Sequence, residues 1–263
     1  MNPILSIITV CYNSVDVIEK TIISVINQEY ADYEYIVVDG SSSDGTICII
    51  NKYSKQINKI ISEKDSGIYD AMNKGIKMAS GKYLLFLNAD DVLYSNTTLN
   101  KVCQFMDDDK YFSDIYYGDI ELENEYGIYH QSPRELKLFP YKMVVSHQAV
   151  FVKKELLVDN LFDLNYRYCA DYKQLSSLYM NGAKFKYMNL IITHTPLNSG
   201  ATYDNYTKSI KEHFSILKER GYSVFWEEKR VLFLRMMIRA LKKYIPRFIL
   251  RPMLRFISRY KVV

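Results

Sequence analysis

Over its first ninety residues the chain alternates between two hydrophobic patterns. "ILSIITVCYNS" (4–14) is a β-branched apolar run that breaks at Tyr12-Asn13-Ser14, and in the following "VDVIEKTIISVINQEY" Val17, Ile18, Ile22, Val25 and Ile26 recur at helical spacing. The alternation continues. "YEYIVVDGSSSDGT" reads as a strand ending in Asp39 and a Gly/Ser loop, "TICIINKYSKQ" as a helix, and "NKIISEKDSG" as a short strand; "IYDAMNKGIKMASG" is a helix closed by Gly81, and "KYLLFLNADD" a fourth strand. Strands alternating with helices predict a parallel sheet with right-handed crossovers, whose ligand loops lie at the strand C-termini. Polar residues collect at those ends: Tyr12 and Asn13, then Asp39, Asp65, and finally Asn88, Asp90 and Asp91.

The pattern loosens after Asp114. "DIYYGDIELENEYGIYH" predicts a hairpin or meander, "SHQAVFVKKELL" a strand leading to a helix, "YCADYKQLSSLYMNG" a helix ending at Gly182, and "AKFKYMNLIITHT" another strand. Helices dominate from Tyr206. The expected organisation is one α/β domain over 1–205, with halves 1–113 and 114–205, and a helical basic extension over 206–263 that Pro246 and Pro252 break into short pieces.

Charge sharpens this division. Residues 229–263 hold 11 Lys or Arg and no Asp or Glu, leaving 23 basic against 30 acidic residues in the preceding chain. Cations interleaved with Leu, Phe, Ile and Met fit either an interfacial segment on an anionic membrane or a helical pair packed on the domain. Nucleic-acid binding is not expected, since the body is acidic and carries no recognition motif. The four cysteines have no CxxC spacing, which disfavours a zinc site or disulfide framework and suits a reducing cytosol. "MNPILSIITV" reads as a first strand and not as a signal peptide, and no apolar run reaches spanning length.

Two adjacent carboxylates after a buried strand suit Mg2+ or Mn2+, hard cations that take oxygen ligands and are shared with a substrate's phosphates. Taken alone, "NADD" serves equally as the N-cap of a helix over "VLYSNTTLNKV". The other polar strand ends favour a site. "MDDDK" (106–110) follows no strand and reads as a solvated turn, and "DGSSSDGT" lacks the lysine of a P-loop.

"SIITVCYNS", "VVDGSSSDGT", "SEKDSGIYDAMNKGIKMASGKYLLFLNADD", "SHQAVF" and "CADY" together resemble the family 2 inverting glycosyltransferases of GT-A fold, most closely the bacterial exopolysaccharide-type branch, over about residues 4 to 200. The resemblance implies a Rossmann-like central mixed sheet and a nucleotide-diphosphate sugar, expected to be UDP-linked, held by Thr9, Tyr12, Asn13, Asp39, Asp65, Asp70, Asn73, Asn88 and Asp90. It implies Asp91, with Asp90, as the metal ligands, Asp171 as the base that takes the acceptor's proton, and His147 and Gln148 as contacts to acceptor or sugar. His194 would approach the phosphates, and the loop after it would close as a lid. The acceptor is expected to be a glycan or polyprenyl-linked lipid, met at the cytoplasmic membrane face through the basic tail.

Three positions depart from the family's pattern. Asn88 replaces the first acid of a DxD, Gly40 replaces the second of two adjacent acids, and Met72 replaces an arginine before Asn73. Asp65 and Asp70, flanking "SGIY", either take over part of the base reading or cap the helix. Asp171 too stands where a helix cap would. A nucleotidyltransferase and a non-catalytic sugar-nucleotide binder are the rival readings; the first usually brings a cationic first loop, which "TVCYNS" does not have.

Overall fold

A computed structural model describes residues 2–124, 127–196, 205–224 and 229–230. The expected alternation appears in order: β1 (Leu5–Cys11), α1 (Ile18–Ile26), β2 (Tyr33–Asp39), α2 (Thr46–Lys52), β3 (Lys59–Ser62), α3 (Ile68–Met78) and β4 (Tyr83–Phe86). β5 (Val92–Leu93) and α4 (Thr98–Asp108) follow, then β6 (Ile115–Asn124), β7 (Gly127–Gln131), β8 (Val150–Lys153), α5 (Lys154–Asp159), α6 (Ala170–Met180), β9 (Phe185–Pro196) and α7 (Tyr206–Glu219).

Among the described residues the sheet has nine strands in the order β3-β2-β1-β4-β8-β6-β9-β5, with β7 paired to β6. β3, β2, β1 and β4 are parallel, as the alternation predicts. β8 then enters antiparallel to both β4 and β6, and this makes the sheet mixed. Side-chain alternation along the strands separates two cores. Ile8, Val10, Ile36, Val38, Leu84 and Phe86 face α3 and α6, while Leu5, Ile7, Tyr35, Val37, Tyr83 and Leu85 face α1 and α4.

Three sequence expectations change here. α4 starts at Thr98 and β5 intervenes, so "NADD" does not cap that helix. "MDDDK" is only partly solvated: Asp109 is buried and accepts hydrogen bonds from the Ser113 N–H (3.0 Å) and hydroxyl (2.7 Å) and from the Tyr116 hydroxyl (2.9 Å). The serine donors, with the Tyr116 hydroxyl adding to them, hold its pKa well below the usual carboxylate range. α7 packs on the domain, with Ile216 in the core beside α6. The post-β9 loop and nearly all of the basic tail lie outside the described residues.

Candidate active site

The C-terminal ends of β1, β2, β3 and β4 converge on a cleft of about 830 Å3. Of the residues expected to bind donor, Tyr12, Asn13, Asp65, Asn88 and Asp90 line it. The loops after β1 and β2 are stitched together beside it. Asn13, in the left-handed region (φ +47°), donates its N–H to Ser42 Oγ at 2.8 Å and accepts the Ser43 N–H on Oδ1 at 2.9 Å. Asp44 accepts the Val15 N–H at 3.0 Å. The serine-rich loop therefore fixes the neighbouring loop that carries Tyr12, whose ring is 62% exposed and open to stacking.

Asp39 lies beneath this wall, fully buried. Its carboxylate accepts the Ser42 N–H (3.0 Å), the Ser62 hydroxyl (2.6 Å) and the Ser42 hydroxyl, so it shapes the loop and has no face on the cleft. Burial, with Asp39 next in effect, pushes the adjacent Cys11 thiol far up and keeps it inert. Asp65 stands on the cleft instead. A Cβ on Gly40 would come within 2.5 Å of Asp65 Oδ2 and 3.3 Å of the Tyr12 ring. Asp65 thus fills the space in which an acidic residue at position 40 would stand. Burial raises its pKa, partly offset by the Gly67 N–H at 2.9 Å.

The "NADD" segment is a tight turn pinned from α1: the Thr21 hydroxyl contacts the carbonyls of Ala89 (2.7 Å) and Asp91 (2.8 Å). Asp90 is half-buried on the cleft, whereas Asp91 is 1% exposed behind it. Burial, and then the charge of Asp90, push Asp91 up to about 6. Asp91 Oδ1 and Asn88 Oδ1 are buried without a hydrogen-bond partner. Two orphaned oxygens beside a carboxylate are the donor set a hard cation takes, so these residues fit Mg2+ or Mn2+. Among the described residues no group of three or more His, Cys, Asp or Glu could hold a metal, and the substrate's phosphates would complete the shell.

Asn88 connects this turn to Asp171. Its Nδ2 lies 3.0 Å from His147 Nε2, and His147 Nδ1 lies 3.4 Å from Asp171 Oδ2. Asp171 Oδ1 accepts the Tyr69 hydroxyl at 2.9 Å and the Tyr172 N–H at 2.8 Å, in the first turn of α6. Burial disfavours the charged Asp171, but the hydrogen bond and charge of His147 outweigh it and the pKa falls below the ordinary value. Burial likewise opposes the imidazolium, which Asp171 and then Asp91 and Asp90 raise. The pair forms an ionised carboxylate braced by a histidine. His147 braces Asp171 from the side of Asn88, and neither His147 nor Asp171 lines the cleft itself.

Four other expected residues are engaged elsewhere. Thr9 is fully buried in mid-strand, where its Oγ1 accepts the Tyr35 hydroxyl at 3.1 Å. Asn73 is buried and brackets Phe162, accepting its N–H and donating to its carbonyl, each at 2.9 Å. Asp70 accepts the Ser66 N–H (2.9 Å) and hydroxyl (3.0 Å), holding the turn before α3. Gln148 donates to Thr195 Oγ1 at 3.1 Å, and Thr195 in turn bonds Asp91. Nor does His194 face phosphates, because it lies between Glu121 (2.9 Å) and Glu123 (3.0 Å) of β6. Sequence reasoning missed Tyr69, Thr21, Lys64 and Arg167; only the "YRYCADY" context of Arg167, four residues before Asp171, offered a signal.

The family model described as glycosyl transferase family 2 matches residues 6–155. The chain belongs to that family. The transferase is 32% identical over 195 residues to a PGL/p-HBAD biosynthesis glycosyltransferase of Mycobacterium bovis, covering 72% of this chain and 75% of the relative. It is 28% identical over 227 residues to the Escherichia coli UDP-Glc:alpha-D-GlcNAc-diphosphoundecaprenol beta-1,3-glucosyltransferase WfaP, covering 83% and 87% of the two. In fold it is similar to the mannosyltransferase PcManGT of Pyrobaculum calidifontis, solved with GDP-Man and Mn2+: the TM-score is 0.66 at 16% identity, over 99% of this chain and 82% of that one. The enzyme is a glycosyltransferase of GT-A architecture.

Proposed function

We propose that the transferase moves a sugar from a UDP-linked donor to a glycan or lipid-linked acceptor in bacterial surface polysaccharide synthesis, by metal-assisted, inverting single displacement. The observation that carries this reading is the placement of Asp171, braced by His147 and Tyr69 and joined through His147 and Asn88 to the turn that offers Asp90 to the cleft. A single displacement needs a base on one side of the anomeric carbon and a held leaving group on the other, and no enzyme nucleophile.

Tyr12 stacks on the base and Asp65 accepts the imide N–H of uracil. Asp91 and Asp90 would hold Mg2+ or Mn2+, which when bound neutralises charge on the leaving diphosphate. Asp171 takes the proton from the acceptor hydroxyl as its oxygen bonds to the anomeric carbon; the bond from that carbon to the diphosphate oxygen breaks, and the nucleoside diphosphate leaves. With its pKa lowered, Asp171 is ionised at neutral pH and competent to accept that proton.

The donor class is supported by the UDP-Glc in the name of WfaP, and the lipid-linked acceptor by the same name. Eleven cations without an acid over 229–263 support attachment at the inner membrane face; no helix among the described residues is long and apolar enough to cross a membrane. The test is a sugar-nucleotide panel with the full chain, with and without Mn2+, reading thermal stabilisation and donor hydrolysis. Response to a UDP-sugar that needs Mn2+ is expected; silence toward every donor overturns the proposal.

A further inference from the structure

The donor's diphosphate brings about two negative charges into a cleft that already carries Asp16, Asp65 and Asp90. α3 puts no cation on the cleft's lining: Met72 is buried in the core, Asn73 brackets Phe162, and Lys74, whose charge acts on Asp65, is held by Glu63 at 2.9 Å and by the Lys64 carbonyl at 2.9 Å. Among the described residues the cations lining the cleft are Lys64 and Arg167. Lys64 belongs to the wall that carries Asp65. Arg167 comes from the opposite part of the chain, four residues before Asp171, and shares the cleft with Asn88 and Asp90.

An exposed loop arginine is ordinarily a solvated one, but the backbone beneath this one is built to hold it. Glu212 of α7 accepts three consecutive N–H groups, from Arg167 (3.0 Å), Tyr168 (2.7 Å) and Cys169 (3.1 Å). The start of the same segment is fixed by Asn73 on Phe162, and Lys173 ties Asp163 to α6 at 2.8 Å. The guanidinium itself makes no ion pair with a described carboxylate, although acids line the same cleft. A charged fork on a fixed backbone, with no ion pair to a carboxylate among the described residues, is suited to binding two phosphate oxygens at once.

Resting on the donor reading above, we propose that Arg167 is the side chain that binds the donor's diphosphate, and that Glu212 is the positioning residue that holds it in the cleft. A helix beyond the central sheet thereby becomes part of the donor site. The binding energy falls on the phosphates alone and leaves the nucleoside contacts unchanged.

The test compares nucleoside diphosphates with their nucleosides: UDP, GDP and dTDP against uridine, guanosine and thymidine, by calorimetry in Mn2+ on the full chain. Arg167→Ala is expected to weaken the preferred diphosphate about ten- to a hundredfold, the range of a charged hydrogen bond, with nucleoside affinity unchanged. Arg167→Lys should lose less. Glu212→Ala, or Glu212→Gln if the alanine variant does not fold, should shift diphosphate affinity in the same direction by a smaller factor. Diphosphate affinity within twofold of wild type in Arg167→Ala overturns the proposal, as does an equal loss for nucleoside and diphosphate. A raised KM for a lipid-diphosphate acceptor with donor affinity intact also overturns it and moves Arg167 to the acceptor. Wild type that binds no diphosphate sinks the donor reading itself, a result distinguishable from all of these.

Discussion

Replacing Asp91 with asparagine separates the cost of the candidate metal site from its use. Asp91 is 1% exposed and its pKa in the folded chain is about 6, against an ordinary carboxylate value of about 4. Between those values the folded chain binds more protons than the unfolded one, so stability falls as pH rises and levels off above 6. The difference between those two values corresponds to roughly 3 kcal/mol lost by pH 7.5 relative to strong acid. The substituted amide does not ionise. Its own burial cost does not depend on pH and cancels when the two proteins are compared across pH. In a chelating buffer, the stability of Asp91→Asn relative to wild type should therefore rise by about 2 kcal/mol between pH 4.5 and 7.5, some 4–8 °C in Tm. Denaturant titrations at several pH values measure this directly. Wild-type and variant curves that stay parallel across the window would refute the account of Asp91 as a buried charge awaiting a counter-ion.

Three further outcomes follow from the site. Asp171→Asn should lower kcat by about 10²–10⁴-fold with donor affinity retained, as measured by transfer assay and calorimetry side by side. Tyr12→Ala should weaken nucleotide binding by about 1–3 kcal/mol, the range of base–aromatic stacking, and nucleoside binding equally; unchanged uridine affinity would remove Tyr12 from the base site. Asn73→Ala leaves the Phe162 N–H and carbonyl buried without partners and should cost about 2–4 kcal/mol of stability in denaturant titration, a loss that a surface donor-binding asparagine would not produce.

Local pattern carried the first half of the fold. β-branched runs such as "ILSIITV" and the helical spacing after them define β1 to β4, and each run stops where polar residues take over at the sheet's edge. The mixed second half was less legible, since β8 pairs with β4 some seventy residues away and no local period records such a pairing. Of the residues at strand ends, Tyr12, Asn13, Asp65, Asn88 and Asp90 line the cleft because a strand's end fixes where the chain turns, whereas Asp39 is drawn under the loop by Ser42 and Ser62. Thr9 and Asn73 were misplaced for the converse reason: both lie inside elements, where facing is set by the strand's or helix's own period, and both face inward. Arg167 and Glu212 meet only through a contact between a loop and a helix forty-five residues apart, and this is visible only once the chain is folded.

The packing of Gly40 against Asp65 sets a rule of exchange between two distant positions. A side chain at 40, delivered from the end of β2, and the aspartate at 65, delivered from the end of β3, compete for the space beside Tyr12, so one must turn aside for the other. Among enzymes of this shape an acid after the β2 aspartate should therefore accompany a smaller or differently turned side chain at the second position. Gly40→Asp in this chain should be tolerated better with Asp65→Gly than alone, and the carboxylate beside Tyr12 would then come from β2 in place of β3.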